Sequence, residues 1–199
     1  MTEPRTATPS QAQPTGNLTA PFVLDPDTPR IYVACLAAYN NGHLHGSWID
    51  VEDEDSIQDA VRAILKSSPI PDAEEWAIHD YENFDGVTIN EYDSFARVVE
   101  IAEFLENCSG FGGKLLENYG GDIAPKGHVK DAESALERYN GEYESLADFA
   151  EELTESTTEI PKTLKYYIDY KSMARDMELS GDIFSIETGY KEIHVFWNS

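Results

Sequence analysis

Positive charge is scarce in this chain. It carries 14 Lys and Arg against 38 Asp and Glu, a formal net charge of −24 at pH 7. The shortfall is not confined to a tail: residues 1–86 hold 4 basic and 15 acidic side chains, and residues 87–199 hold 10 and 23. Such a chain repels phosphate, which argues against nucleic acid or an anionic membrane as a direct partner and favours a basic one. Cysteine is nearly absent. Cys35 and Cys108 stand far apart, with neither CxxC nor Cys/His ligand spacing, so a disulfide framework or a zinc site is not expected. Long apolar runs are missing too. The longest, residues 31–39, is about half of what a membrane helix needs, and residues 1–28 contain no apolar signal segment. These absences lead to the expectation of a soluble, cytoplasmic protein with reduced thiols.

Recognisable catalytic and cofactor signatures are also lacking. Phe111-Gly112-Gly113-Lys114 and Gly120-Gly121-Asp122 do not have the spacing of a phosphate-binding loop or a dinucleotide fingerprint. The run from Asp50 to Asp55 invites a calcium-loop reading, but the turn glycine is missing and the twelfth position from Asp53 is Ile64 rather than Glu. His43 and His45 share one strand face without a third ligand at metal-binding spacing. No cofactor, metal or catalytic residue is nominated, and an enzyme is not expected.

What the chain does contain is apolar and aromatic material, 41% and 11% of residues, enough for a core and too much for a disordered acidic polymer. Residues 1–29, rich in Pro, Thr, Gln and Ala, read as a flexible extension. Residues 31–39 then read as a buried strand, Asn40-Asn41-Gly42 as a turn and 44–51 as the return strand. A helix is predicted over 57–66 with Ile57, Val61, Ile64 and Leu65 on one face, followed by a third strand over 76–81. Asp93 and Ser94 can cap a helix to about Cys108, with Phe95, Val98, Ala102 and Leu105 inward and Glu100, Glu103 and Glu106 outward. A short helix over 114–119, a glycine-rich loop over 120–127 and a helix over 128–139 follow, the last exposing Asp131, Glu133 and Glu137.

The residues YNGEYESLADFAEEL, 139–153, concentrate the pattern. Read as a helix from Ser145, they put Leu146, Phe149, Ala150 and Leu153 in one apolar stripe. Glu144, Asp148, Glu151, Glu152 and Glu155 occupy the other face, with Glu142 just ahead of it. Carboxylates three or four positions apart recur roughly every 5–6 Å along such a face. Helical neighbours of opposite charge are too few to neutralise the row. The plain alternative is a well-solvated surface helix. Beyond it, Pro161 is placed to start a helix with Leu164, Tyr167 and Ile168 inward, residues 172–179 continue helically, and 183–187 pairs with 192–197 as a hairpin.

Four runs together resemble the ArdA family of antirestriction proteins: IYVACLAAYNNGHLHGSWIDV (31–51), HDYE (79–82), the 139–153 run, and YYIDYKSMARDMEL (166–179). The resemblance extends over about residues 30–197. It implies an elongated α+β chain of three domains: a small antiparallel-sheet and helix domain at 30–86, a helical middle domain at 87–137, and a C-terminal helix-plus-hairpin domain at 138–199. It further implies a homodimer joined through the C-terminal domain. In the family the carboxylates imitate duplex phosphates and occupy the DNA-binding groove of Type I restriction–modification enzymes, blocking restriction and, more variably, modification. On that likeness Glu142, Glu144, Asp148, Glu151 and Glu152 fall in the family's antirestriction motif, and the partner-binding surface is expected to comprise all twelve outward acids named above. The alternative left open is an acidic scaffold for some other basic DNA-binding protein.

Overall fold

The computed structural model describes residues 27–108, 110–120 and 128–198. The extension expected over residues 1–29 therefore lies almost wholly outside the described residues, as does most of the glycine-rich loop at 120–127. The fold is α+β, with seven α-helices and two three-stranded antiparallel sheets among the described residues.

The first sheet has β1 (Arg30–Cys35) at its centre, flanked by β2 (Gly46–Asp50) and β3 (Trp76–Glu82). Ile31, Val33 and Cys35 are fully buried beneath a helix whose Ile57, Val61 and Ile64 face them. That helix, α2 (Glu54–Lys66), starts where Asp53 accepts hydrogen bonds from the Ser56 N–H and hydroxyl, which accounts for the acidic run at 50–55 as a helix cap. The strand expected over 31–39 stops at Cys35. Leu36–Asn40 instead forms a short helix, α1, closed when the Asn41 side chain donates to the Ala37 carbonyl. An unbroken apolar run does not reveal its period, and the Leu-Ala-Ala segment favours helix. The return strand begins at Gly46, leaving Leu44 exposed.

α3 (Phe95–Glu106), capped by the Ser94 hydroxyl, buries Phe95, Val98, Ile101, Ala102 and Phe104. α4 (Gly112–Gly120) and α5 (His128–Leu136) pack against each other. The helix expected to run to Tyr139 ends three residues earlier, and Tyr139 opens a strand, β4 (Tyr139–Tyr143). The strand prevails because β4 pairs with the last strand of the chain, and the Arg138 carbonyl accepts from the Trp197 N–H.

The second sheet runs β4, β6 (Glu192–Trp197), β5 (Ile183–Gly189), so the final strand is central. In β6 the consecutive residues His194, Val195 and Phe196 are all buried, because both faces are covered. Phe196 joins the large core that begins at β1 and passes through α3, α4 and α5. Val195 and Ile183 meet Phe149 in a smaller core beneath α6 (Leu146–Thr157). α6 packs along α7 (Tyr170–Ser180), whose start is fixed by Asp169 accepting from the Ser172 N–H and hydroxyl. The helix expected from Pro161 is absent. A turn leads into one 3-10 turn at Lys165–Tyr167, and Leu164 and Tyr167 face outward rather than inward. Two local interactions oppose a helix there. Lys165 is drawn back to Glu155 on α6, and the Asp169 cap sets the next helix start downstream.

Candidate interaction surface

α6 can hold a carboxylate row outward because its inner stripe is anchored. The Ser145 hydroxyl accepts from the Asp148 N–H and donates to the Asp148 carboxylate, fixing the first turn. A serine cap of this kind contributes about 1 kcal/mol. Phe149 is almost completely buried, packed edge-on against Tyr143 at 5.4 Å and Trp197 at 5.8 Å. With that face committed, Asp148, Glu152 and Glu155 are exposed and Glu151 is half-buried.

The row divides into two groups instead of forming a single unneutralised line. Towards the start of the helix, Lys191 on the β5–β6 turn reaches Glu144 at 2.6 Å. Hydrogen bonding and charge from Glu144, with Asp148 adding to them, hold the Lys191 ammonium above its ordinary pKa. Towards the far end, Lys165 pairs with Glu155, and its pKa is raised chiefly by that bond, with Glu151 contributing. Tyr170 of α7 feels the same two carboxylates, although its burial is the main reason its pKa rises. Glu152 faces the other way, towards Tyr143 of β4, where burial first and Glu152 second push the phenol up. Neither counter-ion is an i,i+3 or i,i+4 neighbour of its acid, so helical spacing does not reveal either pair.

Glu142 lies on the edge strand β4, exposed, close enough to raise the pKa of Tyr139 after the larger effect of burial. On the helical middle segment, Glu103, Glu106, Asp131, Glu133 and Glu137 are exposed and Glu100 is half-buried. Glu133 and Asp85 both stand near Cys108. Burial, then these two carboxylates, push the Cys108 thiol to about 11. Of the twelve acids, Glu144 and Glu155 alone form ion pairs within 4.0 Å among the described residues. The structure thus gathers Glu142, Glu144, Asp148, Glu151, Glu152 and Glu155 around α6 and β4. Glu100, Glu103 and Glu106 lie on a different helix, α3.

Other chemistry is sparse. His45 Nε2 bonds to the Ile64 carbonyl at 2.8 Å, so that ring nitrogen is occupied. Among the described residues no three His, Cys, Asp or Glu side chains converge as a metal site, and no helix is long and apolar enough to cross a membrane. One feature lay beyond sequence reasoning: an open pocket beside β3 lined by Tyr39, Ile78, His79, Tyr81, Ile89 and Glu91. Its rings and carboxylate come from three separated segments.

The chain matches the family described as Antirestriction protein (ArdA) over residues 31–192, most of its length. No curated protein matches it.

Proposed function

The chain belongs to the ArdA family of antirestriction proteins, and from that premise we propose that it is a DNA mimic which occupies the DNA-binding groove of a Type I restriction–modification enzyme. One observation carries this reading. Ten of the twelve outward acids form no ion pair among the described residues, although the chain folds around them with well-capped helices and two buried cores. A protein with no use for such a surface forfeits stability to self-repulsion for nothing. Duplex DNA carries about one charge per 1.7 Å, so 24 net negative charges correspond to roughly 12 base pairs.

Exposed carboxylate pairs are worth about 0–1 kcal/mol each, so affinity arises from many acting at once. The enzyme's phosphate-binding Lys and Arg exchange their bound anions for fixed carboxylates. We also assign a homodimer formed through the C-terminal segment. Leu164, Tyr166, Tyr167 and Leu179, 54%, 89%, 84% and 73% exposed, supply apolar surface that a solitary copy leaves in water.

Two measurements test the proposal. Unmodified phage plated on a Type I restricting host should recover plating efficiency when the chain is expressed. Purified chain should displace duplex DNA from a Type I methyltransferase core, with the advantage collapsing as salt rises. Displacement indifferent to salt, or none, sinks the mimic. Capture of a different basic DNA-binding protein without phage protection would assign the acids to that partner instead.

A further inference from the structure

The pocket beside β3 owes its shape to an irregularity in the strand. Tyr32 pairs with Asp80 and Val33 with Ile78, so His79 is an extra residue, a β-bulge. A bulge breaks the alternation of the strand and re-aims its side chains. Accordingly Ile78, His79 and Tyr81 all line one pocket, which regular pleating would not allow. Tyr39, thrown outward by the end of α1, stands edge-on to the His79 ring at 4.8 Å and 80°. The opposite wall is set by a backbone bond at the outer edge of β3. The Ile78 N–H donates to the Glu91 carbonyl at 3.0 Å, fixing the turn that carries the Glu91 carboxylate. Ile78 and Ile89 are buried and form the floor; Tyr39, His79 and Glu91 remain accessible at the mouth. The cavity measures about 460 Å³, ample for a long side chain.

We propose that this pocket receives an arginine side chain of the protein partner, its guanidinium lying against the Tyr39 and Tyr81 rings and forked onto the Glu91 carboxylate. The chemistry favours a planar cation over the alternatives. An anion meets a carboxylate on a chain of net charge −24, and a purely apolar ligand makes no use of the Glu91 carboxylate, which the neighbouring Tyr92 hydroxyl hydrogen-bonds without supplying positive charge. A planar cation satisfies rings and carboxylate together, and it does so better than an ammonium because it stacks and donates in pairs. The role as a partner contact rests on the antirestriction reading above; the preference for arginine does not.

The test uses the full chain and two small probes: N-acetyl-arginine amide and its neutral isostere, N-acetyl-citrulline amide. Saturable shifts of the Tyr39, His79 and Tyr81 ring protons are expected with the arginine probe. Glu91→Gln and Tyr39→Ala should each weaken it by roughly two- to fivefold, the size of one exposed cation–π or ionic contact. Both residues are exposed at the mouth, so the fold should survive the changes. Equal shifts with citrulline, or arginine shifts unaltered in Glu91→Gln, overturn the site. In the competition assay with the methyltransferase core, Tyr39→Ala should weaken displacement by a similar roughly two- to fivefold factor, and Leu44→Ala should not. An arginine-binding pocket whose loss leaves displacement unchanged removes the partner role. If the unaltered chain does not displace DNA, the antirestriction mechanism falls, while the probe titration still decides the pocket.

Discussion

The Gly113 N–H donates to the Asp85 carboxylate at 2.8 Å, pinning the first turn of α4 to the bend that leaves the first sheet. Anionic groups are favourable at a helix N-terminus, where backbone N–H groups lack partners. The approach is so close that a Cβ at 113 would collide with the Asp85 carbonyl oxygen. Gly113→Ala should therefore lower folding stability by about 1–3 kcal/mol, as overpacked sites do. Urea unfolding measures it. A neutral result would mean that α4 is not held by this contact, and that the 30–86 and 87–137 segments are less tightly joined than their shared core indicates.

His194 lies between two hydroxyls, with Tyr139 on Nδ1 at 2.9 Å and Thr188 on Nε2 at 3.2 Å, while Phe111 covers the ring at 4.5 Å. Burial lowers its pKa below the ordinary 6.5, and the carboxylates of Glu142 and Glu192 oppose that shift only in part. The folded state thus prefers the neutral ring. Its contribution is complete above 6.5 and is lost as pH falls from there through the lowered folded value. Melting temperature should drop between neutrality and mildly acidic pH more steeply in the unaltered chain than in His194→Asn. Parallel profiles would show that the other titrating groups account for the whole slope.

Phe149→Ala should be the most damaging single change in the C-terminal segment. The smaller core contains three buried residues, Phe149, Ile183 and Val195, so little remains to fill the space. Large-to-small changes of this kind cost about 3–5 kcal/mol. Because α6 carries four of the acids, Asp148, Glu151, Glu152 and Glu155, phage protection should fall with stability. Guanidinium unfolding read by near-UV circular dichroism would check the first, and plating efficiency the second. Protection that survives a large loss of stability would mean that the acids act without α6 held in place.

What could be read from the sequence follows the range of the interactions. α2, α3 and α6 were legible because Asp53, Ser94 and Ser145 announce their starts within three residues. The outward position of most of the acids follows from the apolar stripes beneath them, so it too was readable. Features that depend on distant partners were hidden. β4 is a strand because β6 lies beside it, the His79 bulge exists only relative to β1, and Lys165 and Lys191 meet Glu155 and Glu144 through tertiary folding. The ending of β1 at Cys35 was hidden for another reason: a uniformly apolar run has no period to read.

Lys191 offers a test that runs against intuition. It sits at a left-handed backbone position on the β5–β6 turn, φ 62°, and reaches back to Glu144. Both side chains are largely exposed, 51% and 69%, so solvent screens the pair and little stability is at stake. Asparagine tolerates the left-handed conformation. Lys191→Asn should therefore leave the melting temperature almost unchanged while freeing Glu144 and taking the formal charge from −24 to −25. If the acids only keep the chain dispersed, displacement of DNA from the methyltransferase core should not respond. If they stand in for phosphates, the added free carboxylate should strengthen displacement at low salt, and the gain should vanish as salt rises. The reverse change, Glu144→Gln, removes one acid without unmasking another and should weaken displacement slightly in the same assay. Changes of the same sign in the two variants would mean that the ion pair acts by shaping the turn, and that charge at this position is not what the enzyme reads.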